Sequence, residues 1–292
     1  MQKKLIGINR PRFRNNEKGM TIAELLVAMT IGSILAVLMF QFMADQVTRF
    51  SVKRQESEMQ QELRWAMNFL YDHVRLAGNG VPPTSGWAVI EAVDGVDDSP
   101  DSLTIMGSFK AVTVTTTQNM ASEGDQIKCN STDEIETGDL CVISDGTFTE
   151  IFIVTNKNST TLWHDASLPW NDDNQLDHVY NTGSSIQVVT HLTFYVDTDD
   201  EGRINLMLKH QAYDPQILLG DVEDFQIRFN MKDGSWITEP EPDEIYDIRE
   251  IEMTLRSKTS EPIPNYIDPV YGDGYRRVEI KGLVIPQNIV II

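Results

Sequence analysis

Cysteine is scarce in this chain of 292 residues: Cys129 and Cys141 are the only two, and they form no CxxC pair. Zinc sites and dithiol redox chemistry need paired Cys/His spacing, so neither has a basis here. An HExxH helix, a GxSxG elbow, a phosphate-binding glycine loop and a dinucleotide fingerprint are all missing. The five histidines, His73, His164, His178, His191 and His210, show no ligand spacing. With these motifs absent, no enzyme and no cofactor is expected. Positive charge is the other shortage, with 24 Lys and Arg against 44 Asp and Glu and a net charge of −20. No clustered basic patch offsets it, so the surface repels nucleic-acid phosphates and no nucleic-acid partner is expected.

What is present is concentrated at the amino terminus. Lys18-Gly19-Met20-Thr21-Ile22-Ala23-Glu24 opens a 25-residue run, Met20 to Ala44, whose only charge is Glu24. Residues 1–19 before it carry six bases (Lys3, Lys4, Arg10, Arg12, Arg14 and Lys18) and one acid, Glu17. A secretory signal would place a small-x-small cleavage site after a shorter apolar core. Here the small residue, Gly19, precedes a run long enough to span a bilayer. Basic flanks stay cytoplasmic, which puts the remainder of the chain outside. A carboxylate inside a hydrocarbon-length helix costs roughly 2.5–3.5 kcal/mol on insertion scales, so Glu24 is read as functional and in need of a partner.

This junction resembles the leader and amino terminus of a type IV prepilin. The resemblance implies cleavage between Gly19 and Met20 by a prepilin peptidase, N-methylation of Met20, and pairing of Glu24 with the positive amino terminus of a neighbouring subunit. On this reading the carboxylate is uncompensated in the monomer, and assembly supplies its counter-ion. The expected location is the bacterial inner membrane, single-pass with the head in the periplasm, and then a pilus or pseudopilus. Cleavage would leave 273 residues with 18 bases and 43 acids, a charge of −25.

Beyond the apolar run, Met59, Leu63, Ala66, Met67, Leu70, Val74 and Ala77 recur at steps of three and four and define one helical face. Gly78 suits a left-handed cap, and Pro82-Pro83 forbid continuation. One helix over residues 20–78, about 87 Å to Ala77 at 1.5 Å per residue, is therefore expected, with 20–44 in the membrane or filament core. Short β-rich runs follow at 102–106, 111–117, 140–143, 150–155, 185–194, 204–209, 222–230, 248–256 and 276–284. Asp199–Gly202 and Asp233-Gly234 read as hairpin turns. The fold class is α+β: a long amino-terminal helix on an antiparallel sheet head, residues 79–292, with a β-rich insertion around 118–169. In an oxidising compartment Cys129 and Cys141 could form a disulfide; two buried free thiols are the alternative.

Asp197, Asp199 and Glu201, followed by Gly202, resemble the start of a calcium loop. Leu208 stands at the twelfth position, where a bidentate Glu belongs, and no helices flank the run, so an acidic β-turn is the preferred reading.

Residues 61–70 and 73–78 resemble the helix end of PilW-type minor pilins. Residues 101–105, 138–145 and 222–229 resemble later segments of those proteins. The last of these, with 249–255, also resembles the J-type pseudopilin of type II secretion. The resemblance implies a fold of the type IV pilin kind and a minor subunit that primes or caps a filament. Its partners would be the prepilin peptidase, other minor and major pilins reached through the helix, and the inner membrane before assembly. A secretion pseudopilin and a tip adhesin or ligand-binding module are the alternatives.

Overall fold

The computed structural model describes residues 19–82, 87–110, 112–164, 175–211 and 213–289. Of the expected leader, all but Gly19 lies outside the described residues, as do Pro83 and residues 165–169 of the expected insertion. Two compact units divide between Lys53 and Arg54, and one helix, α1 (Ile22–Arg75), supplies residues to both.

In the first unit α1 is bare: Ile22, Phe40 and Phe50 are each more than 70% exposed. Its most apolar 18-residue window has a mean hydropathy of 2.3, so by length and composition it can cross a membrane. The few hydroxyls bond to the helix's own carbonyls, Thr30 to Val27 at 2.8 Å, Ser33 to Thr30 at 2.8 Å and Thr48 to Ala44 at 3.0 Å. Such bonds satisfy these hydroxyls within the helix, where lipid could offer no partner.

In the second unit the α1 residues Met59, Leu63, Ala66, Met67, Leu70 and Val74 are buried, which is the face the spacing predicts. The helix ends two residues before Ala77. A turn follows in which Gly78 takes φ +79°, and its N–H donates to Met106 O at 2.8 Å.

Among the described residues fifteen strands follow in three sheets. The largest has the order β1 (Ile90–Val93), β2 (Ser102–Gly107), β9 (Ser185–Thr198), β10 (Ile204–His210), β11 (Gln216–Gly220). To it β3 (Thr113–Thr115), β5 (Leu140–Ser144) and β6 (Thr149–Ile153) attach through the amino half of β9. A three-stranded sheet runs β4 (Ile127–Lys128), β8 (Thr161–Trp163), β7 (Asn156–Asn158). A four-stranded sheet runs β13 (Trp236–Ile237), β12 (Val222–Met231), β14 (Ile248–Lys258), β15 (Arg277–Val284). Among the described residues every strand pairing is antiparallel, as in β2–β9, β5–β9, β9–β10, β12–β14 and β14–β15. The α+β architecture is therefore the one expected. Asp199–Gly202 joins β9 to β10, and Asp233-Gly234 joins β12 to β13 with φ +86° at Gly234.

There are two apolar cores. The first joins the α1 face to Phe194, Leu206, Phe225, Phe229, Ile251 and Leu255. Where α1 meets β15 the fit is close: a Cβ added to Gly282 would lie 1.0 Å from the Tyr71 hydroxyl. The second core gathers Val114, Ile127, Ile143, Phe152, Leu162, Tyr180 and Ile186 among others. Cys129 and Cys141 lie in it as free, buried thiols, the alternative that the sequence left open beside a disulfide. Burial pushes the Cys129 thiol up to about 12 and Cys141 well above its ordinary value, so neither is a nucleophile at neutral pH.

Residues 259–276 are fastened to the four-stranded sheet by Arg277, whose side chain is 9% exposed. Its guanidinium holds Glu223 through two bonds of 2.6 and 3.0 Å and Asp273 through two of 2.8 and 2.7 Å. The Tyr271 ring lies 3.9 Å away across the cation. Asp268, 3.6 Å from the same guanidinium, accepts the N–H groups of Val270 and Tyr271. Such paired forks are the strongest geometry open to arginine.

Candidate functional site

Gly19, Met20 and Thr21 precede α1 in non-helical backbone. Gly19 has no neighbouring atom where a Cβ would sit, and Met20 is 68% exposed. The Gly19–Met20 peptide is therefore in open, non-helical chain, the condition under which a peptidase can reach it.

One turn later, Thr21 and Glu24 close a reciprocal cap. The Glu24 N–H donates to Thr21 Oγ1 at 3.2 Å, while Glu24 Oε2 accepts the Thr21 N–H at 2.8 Å and its hydroxyl at 2.9 Å. This is a capping box, in which a Thr and an acid three residues on satisfy each other's orphan groups at a helix start. An acid in the first turn also complements the positive end of the helix dipole. Glu24 thus has local hydrogen-bond donors within its own chain. All of them are neutral, and among the described residues no cation pairs with its charge. The Thr-x-x-Glu spacing was visible in the sequence and could have revealed this.

The acidic run at the β9–β10 turn serves its own hairpin. Asp197 accepts the Thr198 N–H at 2.7 Å. Asp199 Oδ1 accepts the N–H groups of Glu201 and Arg203 at 3.0 and 2.8 Å, and Oδ2 accepts Arg203 Nε and Asn205 Nδ2 at 3.1 and 3.2 Å. Glu201 pairs with Arg203 at 3.1 Å. Among the described residues no three His, Cys, Asp or Glu side chains converge as metal ligands.

A buried polar group that the sequence did not reveal lies at the edge of the second core. The Tyr180 hydroxyl donates to Glu150 Oε1 at 2.9 Å, the Asp177 N–H donates to Oε2 at 2.6 Å, and His178 Nε2 lies 3.2 Å from Asp145. These contacts seat residues 177–180 on the β5–β6 hairpin. The partners are about thirty positions apart, which leaves no local signal in the chain.

No curated protein matches this chain. Among solved structures, a type IV-like pilin from Thermus thermophilus is similar over 80% of this chain and 98% of its own, with 11% identity and a TM-score of 0.39. Residues 14–40, which contain Gly19, Met20, Thr21 and Glu24, match the prokaryotic N-terminal methylation motif.

Proposed function

We propose that this chain is a minor type IV pilin, made as a precursor, cut between Gly19 and Met20, methylated on Met20 and inserted into a filament through α1. The observation that carries the reading is Glu24 in the first turn of an apolar helix, inside the matched motif, with neutral partners alone. A neighbour's methylated ammonium would supply the missing counter-ion, and residues 54–292 would form the head that meets other minor pilins in the periplasm. The size of that head favours a place at the tip, where bulk need be accommodated once, and so a priming or capping role. Residues 222–229 and 249–255, which lie in or next to the paired strands β12 and β14, resemble the J-type pseudopilin. They support a second reading in which the filament is a secretion pseudopilus.

Glu24→Gln keeps the cap's acceptor and removes the charge. It should leave membrane insertion and cleavage unchanged and lower recovery in the sheared filament fraction about tenfold, as expected for loss of a charge pair in lipid. Unchanged recovery would remove the pairing role. Mass spectrometry of the native chain should find a methylated Met20 at its start; a retained residue 1 would overturn the precursor reading.

A further inference from the structure

β15 is the outer strand of its sheet. Its register against β14 runs without a bulge from Lys258↔Arg277 to Ile251↔Val284, so along an eight-residue strand alternate residues present their N–H and C=O groups to the open side. Among the described residues no strand or loop pairs with that edge. Other outer strands are shorter: β13 has two residues, β1 has four, and β6 and β11 have five each, β11 being bulged against β10. An open edge of this length is a template for another strand unless its side chains forbid it.

Those side chains select a particular strand. Glu279 and Lys281 sit two residues apart on one face of β15, 3.7 Å from each other, with side chains 43% and 59% exposed. An edge guarded by lysines alone repels its own copy; one acid and one base at this spacing do not. We propose that β15 pairs antiparallel with β15 of a second copy about a two-fold axis through Ile280. Glu279 then faces the partner's Lys281, Lys281 faces the partner's Glu279, and Val278 faces the partner's Gly282. Moving the axis to residue 279 or 281 sets like charges against each other, which destabilises a cross-strand pair. The contact is isologous, so it closes at two copies and does not propagate along the edge. It also covers Val278 and Ile280, which are half-buried in the single chain. The proposal stands apart from amino-terminal processing, since no group near Gly19 takes part.

The test is site-specific cross-linking of the full chain in membranes, with two differently tagged copies. Cys129 and Cys141 are 2% and 0% exposed and do not compete. Copies carrying Ile280→Cys should cross-link to each other. Glu279→Cys copies should cross-link to Lys281→Cys copies at least fivefold more than to themselves. The second pair uses exposed positions and keeps the test valid should Ile280→Cys fail to fold. Adding Glu279→Lys to Ile280→Cys should lower the yield about tenfold, and adding Lys281→Glu as well should restore it. Equal yields for the 279/279 and 279/281 pairs, or a yield indifferent to charge reversal, would overturn the contact; association through α1 alone would produce that indifference.

Discussion

Two side chains show how local bonding and charge divide the work. Among the described residues Glu24 is hydrogen-bonded but meets no cation, whereas Arg277 is both bonded and paired. Removing Arg277 would leave Glu223, Asp268 and Asp273 around a vacated site with Lys258, 3.1 Å from Glu223, as the remaining cation. Arg277→Met should therefore lower stability by about 2–4 kcal/mol in denaturant unfolding, because one partner of a buried network is lost. The same cluster sets a pH dependence. Arg277 holds the Asp273 carboxyl down to about 2. Burial pushes Glu223 up, but its bonds to Arg277 and Lys258 outweigh that and hold it below the usual range. A carboxyl with a depressed pKa stabilises the fold above its unfolded value, about 4, and loses that contribution as pH falls towards 2. Asp101 and Glu150, raised by burial, act in the opposite sense. The melting temperature should thus fall more steeply between pH 4 and pH 2 in the native chain than in Asp273→Asn, and parallel curves would contradict the assignment.

Among the elements, α1, the long strands and the short strands β3, β5 and β6 were legible, and six other short strands were not. The three-and-four spacing from Met59 to Val74 needs no partner to be seen, because a helix face is set by its own periodicity. Alternation did the same for β12 and β14, where Phe225, Ile227 and Phe229 face Leu255, Met253 and Ile251. β1, β4, β7, β8, β11 and β13 escaped because runs of two to five residues are held by neighbours and carry little pattern of their own. The capping box was present in the sequence as Thr21-Ile22-Ala23-Glu24, whereas Arg277 and Glu223 are 54 positions apart and meet through the sheet alone. Gly282 is a further case: nothing in the sequence distinguishes it, yet Tyr71 occupies the volume a Cβ would need. Gly282→Ala should cost about 1–3 kcal/mol of overpacking, and Tyr71→Ser combined with it should recover part of that loss. A stability equal to the parent's would mean that Tyr71 swings aside freely.

For the whole molecule, the distribution of side chains matters more than any one of them. With a net charge of −20, copies of the chain repel one another at long range, so association depends on specific contacts that overcome it. The head has two cores that share β5, β6 and β9: Leu140, Val142, Ile151 and Ile153 belong to the first, and Cys141, Ile143 and Phe152 to the second. Ile186 and Val188 of β9 belong to the second core, and Val189, Leu192 and Phe194 to the first. Neither can open without disturbing those strands, so the head should melt as one cooperative unit. Phe152→Ala in the second core should cost about 3–5 kcal/mol and accelerate amide exchange in β14, which lies wholly in the first. Unchanged protection in β14 would show that the cores melt separately.

Shared ownership of β9 also limits what a shorter version of this protein could be. Excising residues 118–169 would take β5 and β6 away and leave Val188 and Val189 without cover along half of their strand. The region looks like a decoration on the chain diagram, but it functions as a wall that the remaining head leans on. Any trimmed relative would need new apolar residues on the amino half of β9, or a shorter strand, before it could stand alone.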